Sequence, residues 1–153
     1  MSEANEIPMT DKVELEVVTP RQAVFHDFVD DVVIPGQHGQ MDILPGHLPL
    51  LAALDVGQLT IRDGHDERHF LIDQGYVEVV DDRVTVLTEA CEGVEDIDIE
   101  QAKRILEKTR EELEELEEVS QTEEVEEEMF EKHRTALRRQ RMRMAFVEEG
   151  PEE

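Results

Sequence analysis

Two hydrophobic rhythms divide the chain. Up to about Gly93 the apolar residues come in short bursts with a period of two. Val13, Leu15 and Val17 alternate with Lys12, Glu14 and Glu16, so a strand here buries one face and wets the other until Thr19-Pro20 breaks it. Val32-Val33-Ile34 is stopped by Pro35-Gly36. Leu59 and Ile61 alternate with Gln58, Thr60 and Arg62 ahead of the hairpin dipeptide Asp63-Gly64, and Phe70-Leu71-Ile72 follows on the return side. Tyr76 to Val80, then Asp81-Asp82, then Arg83 to Leu87 predict a second tight hairpin. Short strands with frequent turn signals predict a small antiparallel sandwich or barrel over residues 11–93, with residues 1–10 as a flexible N-terminus.

Beyond Glu95 glycine and proline vanish until Gly150-Pro151, and the period lengthens. Ala102, Ile105, Leu106, Thr109, Leu113, Leu116 and Val119 recur at steps of mostly three and four, a narrow helical stripe. Asp98 with Gln101 three residues on resembles a capping box, which starts a helix at Asp98. Ser120-Gln121-Thr122 interrupts the stripe, and a second helix is expected from about Glu123 to Phe146. Two antiparallel helices would bury both stripes, giving an α-helical hairpin over residues 94–147 and a disordered acidic tail over 148–153.

Charge changes this picture in two ways. The 153 residues carry 40 Asp plus Glu against 15 Lys plus Arg, a formal net charge of -25. A field of that sign repels phosphate, which excludes bulk binding to nucleic acid or anionic lipid. Only Lys12, Lys103, Lys108 and Lys132 are lysines, and high acid with little lysine suits a salt-rich cytoplasm. The competing source of the excess is one local block, Glu111 to Glu128, which contains no Lys or Arg. The block is followed by Lys132, Arg134, Arg138, Arg139, Arg141 and Arg143, so the second helix is polarised and its attraction to the first is expected to be salt-sensitive.

Candidate chemistry is sparse. The single cysteine, Cys91, forms no intramolecular disulfide and reads as a packed thiol. The acidic start Ser2-Glu3-Ala4-Asn5-Glu6 is unlike a signal peptide, and the apolar stretch Ile43–Leu54 is too short to span a bilayer. Pro35 to Leu51 holds three glycines, but no Gly-Lys-Ser/Thr follows, so it reads as a long turn rather than a phosphate cradle. His65 and His69 flank a hairpin instead of sharing a helical face, which argues against a metal site. No serine stands in a nucleophile elbow. From the residues alone the chain is an interaction module and not an enzyme. One form of that reading is a free-standing acidic adaptor or nucleic-acid mimic that binds through Glu111 to Glu128.

The order of the segments says more. Thr19-Pro20, then Leu44-Pro45-Gly46-His47-Leu48-Pro49-Leu50-Leu51, Asp73-Gln74-Gly75-Tyr76-Val77-Glu78-Val79, Val84-Thr85-Val86-Leu87 and an Ile97-Asp98 helix entry together resemble the epsilon subunits of bacterial F-type ATP synthases over nearly the whole chain. The resemblance implies a sandwich of about ten strands followed by two helices. It implies a non-catalytic central-stalk subunit that couples c-ring rotation to the gamma subunit during proton-driven synthesis. It implies a peripheral place on the cytoplasmic face of the bacterial plasma membrane, without lipid insertion. Gln40, Met41, Asp42 and His47 would form the contact loop towards gamma and the c-ring. The extended hairpin would reach the alpha and beta subunits and brake hydrolysis through Arg138, Arg139, Arg141 and Arg143.

Three departures from the family pattern are visible. Gln40 and Asp42 stand where Glu and Gly are usual, and the left-handed tolerance of aspartate is expected to preserve the turn at Asp42. Gln74-Gly75 replaces Gly-Gly. Some relatives bind ATP through Ile/Leu-Asp-x-x-Arg-Ala and two arginines on the second helix. Here Ile97, Asp98, Ala102, Arg139 and Arg143 keep that frame while Gln101 replaces the arginine, so ATP binding is expected to be weak and no cofactor is required.

Overall fold

The computed structural model describes residues 11–152, and the expected flexible N-terminus lies outside the described residues. The chain divides into two compact units, one ending at Cys91 and the other beginning at Glu92.

Ten strands follow in order: β1 (Val13–Val18), β2 (Ala23–Val29), β3 (Asp31–Gly36), β4 (Gly39–Ile43), β5 (Leu50–Leu54), β6 (Gly57–Asp63), β7 (Asp66–Ile72), β8 (Gly75–Val80), β9 (Arg83–Thr88) and β10 (Cys91–Glu92). They form one sheet in the order β10-β7-β6-β3-β5-β8-β9-β1-β2, with β4 on β3. Side chains from distant parts of that order, Leu59, Ile61 and Ile72 from one end and Leu15, Val84 and Val86 from the other, share a single buried core. The sheet therefore folds over itself as a sandwich. The alternation read along β1 is the burial pattern found, with Val13, Leu15 and Val17 fully buried between half-exposed neighbours. Each such side chain contributes about 1.5–3 kcal/mol on leaving water.

The antiparallel expectation fails at one pair. β1 runs parallel to β9, Glu14 opposite Arg83 through Val18 opposite Leu87. These strands are far apart in sequence, so the connection between them has room for either direction. The first hairpin is also displaced. Asp63 pairs with Asp66, so the turn residues are Gly64 and His65, and the positive φ of +63° at Gly64 alone is the pattern of a type II′ turn. In the second hairpin Asp81 and Asp82 both take positive φ, 49° and 60°, as a type I′ turn requires.

The second unit opens with a 3₁₀ turn (Val94–Asp96) and continues as α1 (Ile99–Val119) and α2 (Glu127–Glu148). Asp98 caps α1, its Oδ1 accepting from the Gln101 amide at 3.0 Å. The helices run antiparallel, since His133 on α2 lies 3.5 Å from Glu112, and Arg143 reaches back to Gln101. Of the predicted stripe, Ala102 and Thr109 are buried, Ile105, Leu106, Leu113 and Leu116 half-buried, and Val119 exposed. α2 begins four residues later than expected. Ser120 Oγ donates to Glu117 O at 2.7 Å and the Thr122 amide to Val119 O at 3.1 Å, which winds the link into a tight turn. The glutamates just after the turn also repel one another in a helical frame. At the other end Glu148, assigned to the tail by sequence, is the last residue of α2, and Gly150 follows at φ +79°, the left-handed residue that commonly ends a helix.

Candidate functional site

The register of the sandwich fixes what its outer face presents. Ala53 pairs with Tyr76, Tyr76 with Leu87, Leu87 with Val18 and Val18 with Ala23. Paired residues share a face. Five strands thus line up an apolar row on the side away from the core, with Tyr76 59% and Leu87 51% exposed. Thr19 and Pro20 border a shallow groove of about 320 Å³ beside this row. The next outward row, two residues along, is Leu51, Glu78, Thr85, Glu16 and His26, and the one beyond it is Val80, Arg83, Glu14 and Phe28. There a hydrogen bond from His26 at 2.9 Å and, after it, the charge of Arg83 hold the Glu14 carboxyl below its usual range. An apolar strip flanked on one side by rows that mix charged residues with exposed Leu51, Val80 and Phe28 is the composition of a protein-binding face.

The glycine-rich segment resolves into a hairpin and a loop. β3 and β4 pair through Gly36 opposite Gly39, leaving Gln37-His38 as the turn. Gly39 and Gly46 take positive φ, +130° and +84°. Gly36 serves a different need: a Cβ there would lie 2.7 Å from the Gly39 carbonyl oxygen and 2.8 Å from Met41 Cε. The expected left-handed backbone at Asp42 is absent, because Asp42 is an ordinary strand residue opposite Val33. Strand alternation also splits the expected contact set. Gln40 and Asp42 are exposed, whereas Met41 packs against the core. His47 holds the following loop together. Its amide donates to Leu44 O at 3.1 Å and its Nδ1 lies 2.7 Å from Leu48 O, which fixes Nδ1 as the protonated nitrogen. The Gly46 amide donates to Asp82 Oδ1 at 2.6 Å, so the loop is pinned to the β8–β9 turn with Leu44 and Leu48 left outside.

Asp42 belongs to a charged cluster. Arg62 NH1 lies 3.1 Å from Asp31 and 3.9 Å from Asp42, and its Nε pairs with Glu67 at 3.2 Å. Loss of water pushes the Asp42 carboxyl up to about 6, the neighbouring Asp31 adds to the shift, and Arg62 only partly offsets it. His65 sits in the β6–β7 turn, and His69 turns to Gln58 and Thr60 at 3.1 and 3.2 Å. Cys91 packs against the core.

The arginines of α2 do not act alike. Arg138 and Arg141 are exposed, Arg139 is half-buried, and Arg143 is buried on the stripe with Leu137, Gln140 and Phe146. Arg143 Nε and NH2 donate to the two oxygens of Glu92 at 3.0 and 3.2 Å, and NH1 donates to Gln140 Oε1 at 2.9 Å. Its NH2 also approaches Gln101 Oε1 at 3.5 Å. Asp98 is engaged as the cap of α1, and Ile97 and Ala102 are buried. Sequence reading overlooked Glu92. The available signal was an arginine on the buried stripe of α2, which requires an anion from elsewhere.

Comparison with known proteins agrees with this architecture. A family model described as ATP synthase, Delta/Epsilon chain, beta-sandwich domain matches residues 12–94. An ATP synthase epsilon chain of Solibacter usitatus is 41% identical over 104 residues, covering 68% of this chain and 78% of that one. ATP synthase epsilon chain 2 of Syntrophotalea carbinolica is 45% identical over 98 residues, 64% of this chain and 71% of the relative. Among solved structures, a chain of the Euglena gracilis mitochondrial ATP synthase shares the fold with a TM-score of 0.70 at 21% identity, covering 90% of this chain and 82% of that one.

Proposed function

Because the chain belongs to the ATP synthase delta/epsilon chain family, we propose that it works as a non-catalytic rotor subunit whose sandwich docks on gamma through its outer face. The observation that carries this reading is the apolar row Ala53, Tyr76, Leu87, Val18 and Ala23. Tyr76 and Leu87 are already about half covered, so burying the remainder contributes about 1–1.5 kcal/mol each, enough to make a few side chains dominate the contact. The β3–β4 hairpin with the Leu44–Leu48 loop meets the ring of c subunits. Gln40 makes that contact more neutral than a glutamate would, and His47 shapes it from within the loop. Proton-driven rotation of the ring then passes through the sandwich to gamma. Within that complex the chain is peripheral to the cytoplasmic face of the bacterial plasma membrane, and no helix among the described residues is long and apolar enough to cross it. The free-standing adaptor reading has no comparable support, since the family match covers the whole sandwich.

The helical hairpin is the control element of this proposal. Extended, it carries Arg138, Arg139 and Arg141 towards acidic segments of the alpha and beta subunits and brakes hydrolysis. ATP contributes little, because Gln101 replaces a cation and Arg143 already holds Glu92. Calorimetric titration of the full chain is expected to give no binding in the low-micromolar range; a low-micromolar dissociation constant contradicts this part. For the docking face the test is capture by a gamma-containing catalytic head. Tyr76→Glu with Leu87→Glu is expected to weaken capture at least about a hundredfold with thermal unfolding of the sandwich unchanged. Equal capture of parent and variant overturns the assignment of this face.

A further inference from the structure

The seam between α1 and α2 is unusually polar. α1 buries only Ala102 and Thr109, and α2 buries Leu137, Gln140, Arg143 and Phe146. So thin an apolar seam leaves the hairpin dependent on how its buried polar groups are satisfied. Arg143 is 8% exposed, and its guanidinium collects acceptors from three separate segments. Glu92 supplies both oxygens from ahead of α1, Gln101 approaches from the first turn of α1, and Gln140 lies one turn back on α2.

We propose that Glu92 and Arg143 form the latch that holds the C-terminal half of α2 against the start of α1. The fork of the guanidinium matches the carboxylate side-on, a geometry that lysine cannot reproduce. With Arg143 buried and the Glu92 side chain 28% exposed, the pair is partly buried, and it adds little compared with an apolar pair of the same volume. Breaking it is another matter, because the remaining partner is left charged without compensation. Glu92 thus makes the compact hairpin and the withdrawal of Arg143 from any other anion a single event. The exposed pair of Arg134 with Glu127, at 2.9 Å, lies within α2 and does not join the helices. High salt weakens exposed pairs of that kind and acts much less on a partly buried one, so the latch is expected to hold where the general attraction between the helices is screened.

The latch concerns the same hairpin that the proposed function makes the control element, and its regulatory meaning rests on that reading. Its existence does not, and hydrogen exchange of the isolated full-length chain tests it directly. Glu92→Gln is expected to speed exchange of the amides between Leu137 and Glu148 about a hundredfold, in low and in high salt, with strands β8 and β9 unchanged. Arg143→Lys, which keeps the charge and loses the fork, is expected to give an intermediate acceleration. Exchange within threefold of the parent in both variants overturns the latch. Equal acceleration in α2 and in the strands overturns it as well, since Glu92 would then be a general structural residue. If Glu92→Gln frees α2 but leaves hydrolysis by the assembled complex unaltered, the latch stands and the control function fails.

Discussion

Asp42 carries more of the chain's individuality than any other residue of the sandwich. Strand pairing places it on the exposed face of β4, where Asp31 and Arg62 compete for its charge. With its carboxyl raised to about 6, the folded state holds a proton that the unfolded chain, titrating near 3.8, has already lost. That proton stabilises the fold below about pH 4, and the contribution disappears as pH rises through about 6. The side chain is 44% exposed, so solvent screening reduces the effect to about 1 kcal/mol. Asp42→Asn is therefore expected to stabilise the protein by about 1 kcal/mol at pH 8 and to flatten the dependence between about pH 4 and 6. Chemical denaturation across that range checks it, and a variant with the parent's slope contradicts it. This behaviour was not legible in the sequence, where Asp42 read as a turn residue. The neighbour that raises its pKa, Asp31, comes from β3, the Arg62 that opposes it comes from β6, and no local pattern announces either.

At the scale of elements, what repeats locally was legible and what depends on a partner was not. The alternation at Val13, Leu15 and Val17 reads directly as a half-buried strand. The parallel pairing of that strand with β9 is invisible, because hydrophobic alternation is the same in either direction. Asp63-Gly64 and Gly64-His65 both satisfy hairpin rules, and only the register of β6 against β7 chooses the second. Gly75 shows the same limit. A Cβ there would sit 1.8 Å from the Leu87 carbonyl oxygen, a close approach that no feature of Gln74-Gly75 reveals. The start of α1, by contrast, was written in Asp98, whose carboxylate caps the helix, although the Gln101 side chain faces Arg143 and does not close the expected capping box. Asp98→Ala is expected to cost about 1 kcal/mol by freeing amides of the first turn. Faster exchange at the Gln101 amide with the sandwich unaltered is the expected signature, and unchanged protection contradicts it.

Taken as a whole molecule, the protein combines a strand unit whose outer face is apolar in one row with a helical unit whose charge is segregated. The net charge of -25 favours solubility and opposes compaction, so it bears on where the protein works more than on how it folds. Family membership was legible because the Leu44-to-Leu51 string and its neighbours keep their order. The separation of Met41 from Gln40 and Asp42, and the service of Glu92 to Arg143, emerged only from the pairing of elements. Docking through the sandwich and control by the helices are both tested by ATP hydrolysis by the matching catalytic head carrying gamma, measured with the full chain and with a chain ending at Gly93. Both forms are expected to bind, and hydrolysis is expected to be faster with the shorter one. Failure of either form to bind the head would contradict docking through the sandwich, and equal rates from two bound forms would contradict the control role of the helices.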